Sequence, residues 1–271
     1  MIGIGSRFIM LIILCVCGMV FSWMGGSAAW ADDGAQILES RVDAVLREWS
    51  ENTGQVRSLY TVFNRTIIDP VWNDKDVSPG SARYLSPRMA RLDVTGGRDP
   101  ESLVLPGNGE AWHFKPATQA GQPSIVEIHK LPKEVNEKDV LEDGPLPFLF
   151  ATKPEKAKQR YKFEILEETD TVLRAKITPK LEDDQRDFVE AEITLSKTDW
   201  MPSKIMILES TKQQVVYDLS KTWTNIEIKQ EDFAATVPKG WKAIQMQANG
   251  PEAGQAGPPN DPGVPRVGLR E

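Results

Sequence analysis

Leu59-Tyr60-Thr61-Val62-Phe63-Asn64-Arg65-Thr66-Ile67-Ile68 is rich in β-branched and aromatic residues and alternates along its length. Leu59, Thr61, Phe63, Arg65 and Ile67 fall on one side of an extended chain, and Tyr60, Val62, Asn64 and Ile68 on the other. This is a β-strand, and its kind recurs. Further strand segments are expected at 81–85, 90–95, 110–114, 125–131, 161–167, 171–178, 188–196, 204–209, 215–219 and 222–228. Turn signals separate them: Pro79-Gly80, Gly96-Gly97, Gly107-Asn108-Gly109 and Thr198-Asp199. Pro87 should mark a bend or bulge. Short strands spaced by turns predict a mainly β fold, one antiparallel meander curling into a sandwich or barrel. A sheet of about 10–11 strands is near the size at which it must curl or close.

Ahead of the meander, Ile37, Leu38, Val42, Val45, Leu46 and Trp49 repeat at the helical period, with Glu39, Asp43, Arg47 and Glu51 mostly opposite. This predicts one amphipathic helix, started at Asp33 and stopped at Gly54, whose apolar stripe covers something apolar. Within the strand run the break at 133–160 holds Gly144-Pro145-Leu146-Pro147-Phe148-Leu149-Phe150 and then a polar stretch, 154–160, suited to a short helix. Two prolines bar a strand there, so the apolar cluster reads as a loop or helix start plugging the sheet.

The two ends read differently. Arg7, the apolar run from Phe8 to Met24, and Ala29-Trp30-Ala31 have the order of a cleaved export signal. Ser22 and Gly25-Gly26 break the run short of the about 18 unbroken apolar residues wanted for a membrane span. Leu14 before Cys15 and Val16 before Cys17 do not fit a lipoprotein signal. Cleavage after Ala31 would leave 240 of the 271 residues, with no cysteine and a formal charge moved from −7 to −8, since Arg7 is the one charged residue lost. That excludes disulfides, a thiol nucleophile and cysteine metal sites from the exported part. At a pI near 5.1 the chain also lacks the basic footprint of a nucleic-acid binder. From Gly250 on, ten of 22 residues are Gly or Pro, which predicts a disordered tail. The expected organisation is a signal at 1–31, one domain at 32–249 and a tail at 250–271.

Catalytic groups are sparse. His113 stands between Trp112 and Phe114, and His129 between Ile128 and Lys130. If the apolar neighbours face the core, both histidines point outward. Two histidines without a third ligand make a weak zinc site. Glu182-Asp183-Asp184 reads as a solvated hairpin turn, lacking the glycine and ligand spacing of a calcium loop. No phosphate loop or nucleophile elbow occurs. The chain reads as non-enzymatic and in need of no cofactor. Of its tryptophans, Trp49, Trp72, Trp112, Trp200, Trp223 and Trp241 lie beyond the signal and serve either as core anchors or as the lining of an apolar cavity.

The order of segments carries a resemblance. An amphipathic helix precedes a strand with Phe63. Then follow Gly80-Ser81-Ala82-Arg83-Tyr84-Leu85-Ser86-Pro87-Arg88-Met89-Ala90-Arg91-Leu92, Asn108-Gly109-Glu110-Ala111-Trp112-His113-Phe114 and Pro145-Leu146-Pro147-Phe148-Leu149. The run closes on Phe233 and Val237-Pro238-Lys239-Gly240-Trp241. This succession resembles the LolA-like family of periplasmic outer-membrane lipoprotein carriers, relatives of the receptor LolB and the regulator RseB, in a divergent form similar to planctomycete-type variants. The resemblance implies a half-open antiparallel β-barrel under a helical lid, exported to the periplasm and holding lipoprotein acyl chains or another lipid. Membrane-bound donor and acceptor proteins are the implied partners. The implied apolar cavity residues are Phe63, Leu92, Trp112, Phe114, Phe148, Leu149 and Phe150. Where the carriers place a lid-fastening basic residue before the strand-bend proline, this chain has Ser86, with Arg83 three residues earlier. An RseB-like sensor or interaction module on the same half-barrel is the alternative; a hydrolase using His113 or His129 and a structural envelope protein are the other rivals.

Overall fold

The computed structural model describes residues 32–72, 74–131 and 154–246. The signal at 1–31, the tail from 250, and the 144–150 cluster with Phe148, Leu149 and Phe150 lie outside the described residues. The predicted first helix is α1, Asp32–Thr53. Twelve strands follow: β1 (Ser58–Asp69), β2 (Asp74–Leu85), β3 (Met89–Val94), β4 (Glu101–Leu105), β5 (Glu110–Lys115), β6 (Ile125–Lys130), β7 (Tyr161–Glu168), β8 (Val172–Pro179), β9 (Phe188–Ser196), β10 (Pro202–Glu209), β11 (Gln214–Thr224) and β12 (Lys242–Met246). Two short helices, α2 (Pro154–Arg160) and α3 (Glu182–Asp187), sit between strands, and a single 3-10 turn spans Gln230–Phe233.

All twelve strands form one sheet in the order β12-β6-β5-β4-β3-β2-β1-β11-β10-β9-β8-β7. Every pairing is antiparallel except β12 on β6. The end strands β7 and β12 do not pair, so the barrel is half open. The count exceeds the 10–11 expected because β4 and β12 are short strands whose sequences alternate weakly. Conversely, the segment expected at 215–219 and the first residues of that expected at 222–228 are one strand, β11, which ends at Thr224 and carries a bulge opposite Val62/Phe63. After β11 the chain crosses the outer face of the sheet. Asn225 N donates to Ser58 O on β1, Arg91 Nη1 on β3 to Asp232 O, and Lys242 N to Ser124 O beside β6, with Phe233 buried along the way.

Two turn readings are corrected. Pro79-Gly80 is not a turn but lies inside β2, paired with Asn64 and Phe63. The glycine is there for space. A Cβ on Gly80 would stand 2.4 Å from Phe63 Cε2 and 2.7 Å from Asp93 O. Gly80→Ala should therefore lower the unfolding free energy by about 1–3 kcal/mol through overpacking. Urea denaturation would measure it, and adding Phe63→Leu should restore part of the loss; an unchanged midpoint would contradict the close approach. The second correction is Glu182-Asp183-Asp184, which opens α3 instead of a solvated turn. Asp184 is buried and accepts from Arg160 Nη2 at 2.7 Å and Nε at 3.2 Å, tying α3 to the end of α2. Its charge is tolerable there because the guanidinium satisfies it twice.

Candidate functional site

The sheet has one face that gathers apolar side chains from both halves. Phe63 (β1), Leu92 and Val94 (β3), Leu103 (β4), Leu173 and Ile177 (β8), Ile193 and Leu195 (β9), and Ile205 and Ile207 (β10) belong to a single buried cluster. The register makes this one surface: Leu92 pairs with Leu103, and Ile193 pairs with both Ile205 and Ala175. From α1, Val45, Leu46 and Trp49 join the cluster, the 3.6-residue period turning this stripe toward the sheet. We call this the inner face. Trp49 Nε1 is buried there without a hydrogen-bond partner among the described residues, which marks the surroundings as apolar.

Ion pairs on its polar side fasten α1. Arg41 forks onto both carboxylate oxygens of Glu168 at the end of β7, and Lys197 Nζ reaches Glu168 Oε1 at 2.9 Å. Hydrogen bonding from Arg41 leads in holding the Glu168 carboxyl down at about 2. Lys158 Nζ of α2 meets Asp43 Oδ1 at 2.7 Å. Arg83 does not take part: it bonds Asp93 on the outer face at 3.2 Å and lies 5.0 Å from the Tyr60 ring centre. The fastening cation of this helix is Arg41, a residue that no motif singled out.

At β4–β6 the inner face changes character. His113 and His129 are not outward, as their apolar neighbours suggested, but buried, at 2% and 6% exposure. Both faces of β5 are covered, so an aromatic pair does not by itself mark the core side. The inward row is charged. Arg65 on β1 pairs through Nη1 with Glu101 Oε1 and donates through Nη2 to Asp99 O at 2.7 Å. His113 Nε2 donates to Glu101 Oε2 at 2.7 Å. Glu127 Oε2 accepts from Lys115 Nζ at 2.8 Å and lies 3.7 Å from His113 Nδ1 and 3.9 Å from His129 Nε2. β1 and β4 are not neighbours in the sheet, and the Arg65–Glu101 pair spans β2 and β3 across its hollow.

The electrostatics follow from this. Burial pulls the His113 imidazole down, but the Glu101 and Glu127 carboxylates outweigh it and raise its pKa. Burial pushes Glu101 up, yet His113 and Arg65 hold it below its ordinary value. The His113 and His129 rings facing it, and then Lys115, hold Glu127 well below the usual carboxylate range. Burial raises the nearby Tyr217 phenol to about 12. A raised folded-state histidine stabilises fully below its unfolded value of 6.5, and that contribution is lost as pH climbs through the raised value. The two lowered glutamates stabilise above 4.5, and theirs is lost only on strong acidification. The expected result is a urea midpoint that falls from about pH 6 to about pH 9, and falls less in His113→Gln. An identical fall in both would remove His113 as the cause.

The described residues expected to line a cavity are thus divided. Phe63 and Leu92 share the inner cluster, and Phe63 meets Tyr217 edge-on at 5.4 Å. Trp112 and Phe114 lie on the outer face, half-buried and stacked at 6.1 Å, with Trp241 against Phe114 at 6.1 Å. The structure does not bring the two pairs together. Among the described residues no group of three or more His, Cys, Asp or Glu is arranged to hold a metal ion.

No protein-family model and no curated protein matches the chain. Solved structures do. An uncharacterized conserved protein from Thermus thermophilus is 9% identical over 76% of this chain and 99% of its own, at a TM-score of 0.45. MucB is 15% identical over 73% of this chain, at a TM-score of 0.41, and this chain spans 63% of it; MucB has also been solved with MucA from Pseudomonas aeruginosa. A LolA-superfamily protein from Nitrosomonas europaea is 10% identical over 72% of this chain and 97% of its own, at a TM-score of 0.35. Likeness at this level bears on no function. The sheet order, the open edges and the helix on the inner face amount to a half-open, helix-covered antiparallel barrel.

Proposed function

We propose that this protein is an exported, periplasmic carrier that holds the acyl chains of a lipid or lipoprotein between the inner face and its covering helices. The observation that carries the reading is the continuous apolar surface from β3 to β10, closed by one helix fastened through ion pairs on its polar side. Each methylene taken from water contributes about 0.8 kcal/mol, so one long chain is worth on the order of 10 kcal/mol gross. A cover held by partly exposed ion pairs, each worth about 0–1 kcal/mol, can yield to such a ligand. The sparse catalytic groups favour binding over an enzymatic role, and partner membrane proteins would load and unload the cargo.

The test is to purify the protein without detergent, extract it and identify lipid by mass spectrometry, alongside binding of a hydrophobic dye. Co-purifying acyl lipid and saturable dye binding are expected, with Arg41→Ala binding the dye more readily. No lipid and no dye binding would remove the reading.

A further inference from the structure

The apolar inner face ends in charge, and that end has nitrogens without partners among the described residues. Arg65, Lys115 and His113 face two carboxylates, Glu101 and Glu127, within one row across β1, β4, β5 and β6. Its two permanent cations balance its two carboxylates, and the imidazole, whose pKa those carboxylates raise, adds positive charge when it takes up a proton. Three of its nitrogens, Arg65 Nε, His113 Nδ1 and His129 Nε2, are buried without a hydrogen-bond partner among the described residues. Buried donors are almost always satisfied, by protein, water or a bound group. Here two of them converge on an oxygen already taken by Lys115, at 3.7 and 3.9 Å, too far to bond it.

Resting on the proposed function, we infer that the His113–Glu127–His129–Lys115 cluster is a head-group site, which selects amphiphiles with an anionic oxygen head, carboxylate or phosphate. The chain of such a ligand would lie along the apolar part of the inner face. Its head would accept from the unpaired nitrogens and from Lys115. Lys115 and Glu101, at 28% and 22% side-chain exposure, are where the row meets solvent and where a head could enter.

Displacement of a hydrophobic dye from the purified protein by dodecanoate, dodecyl phosphate and dodecanol, below their aggregation concentrations at about pH 7, tests this. Chain lengths being equal, at least one anion should bind about tenfold tighter than the alcohol, the equivalent of one charge-assisted hydrogen bond. Which anion is preferred identifies the head. Lys115→Met and His129→Gln should each move the anion's affinity toward that of the alcohol, and Lys115, being part-exposed, can be replaced without emptying the core. Equal affinity for all three ligands, or an anion preference that survives both substitutions, overturns the inference while leaving the carrier reading standing. Displacement by none of them also overturns the inference, whereas the carrier reading falls only if neither lipid nor dye binds.

Discussion

Replacing Arg65 by methionine is expected to lower the unfolding free energy by about 3–5 kcal/mol, the loss seen when one partner of a buried ion pair is removed. Its side chain is 5% exposed and is shared between the Glu101 carboxylate and the Asp99 carbonyl. Without it, Glu101 keeps His113 as its neighbour but loses its permanent cation, and the Asp99 carbonyl loses its donor. The site also staples the hollow of the sheet, because β1 and β4 are separated by β2 and β3. Urea denaturation of the wild type, Arg65→Met and Arg65→Met/Glu101→Gln would measure the effect. The double variant should recover part of the loss, since its neutral amide no longer leaves an uncompensated charge. A single-variant loss of under about 1 kcal/mol would put the pair in the class of surface bridges and remove its stapling role.

Trp49→Ala is expected to cost about 3–5 kcal/mol as well, for a different reason. Trp49 is the largest side chain that α1 lays into the inner face, and its indole N–H makes no hydrogen bond among the described residues, so what is lost is packing. Because the tryptophan holds the cover, the variant should also bind more hydrophobic dye at concentrations of urea too low to unfold it. If α1 were an independent surface helix, the change would stay within about 0.5 kcal/mol and dye binding would not move.

Much of the architecture is legible in local pattern. Alternation at 59–68 and its repeats specify strands, and the period of Val42, Val45, Leu46 and Trp49 specifies a covering helix. Polar residues at 154–160 form the short helix they were expected to form. Where the reading failed, the deciding contact is distant. Pro79-Gly80 has the composition of a turn, but the ring of Phe63, brought alongside by pairing, needs the glycine inside a strand. Asp184 has the look of a solvated acid until Arg160, 24 residues away, is folded against it.

The candidate site shows the same division. Alternation along β5 separates Trp112 and Phe114 from His113, and the sequence alone determines that the two sets face opposite ways. It does not determine which way is in. That depends on what each face meets: the crossing segment with Phe233 and Trp241 on the outside, and on the inside the charges of β1, β4 and β6. The strands, the helix and the absence of cysteine after Cys17 are properties of the chain read along its length. The burial of two histidines beside Glu127, and a guanidinium reaching across two strands, belong to the curvature of the sheet, because only a curved sheet brings such residues within reach of one another.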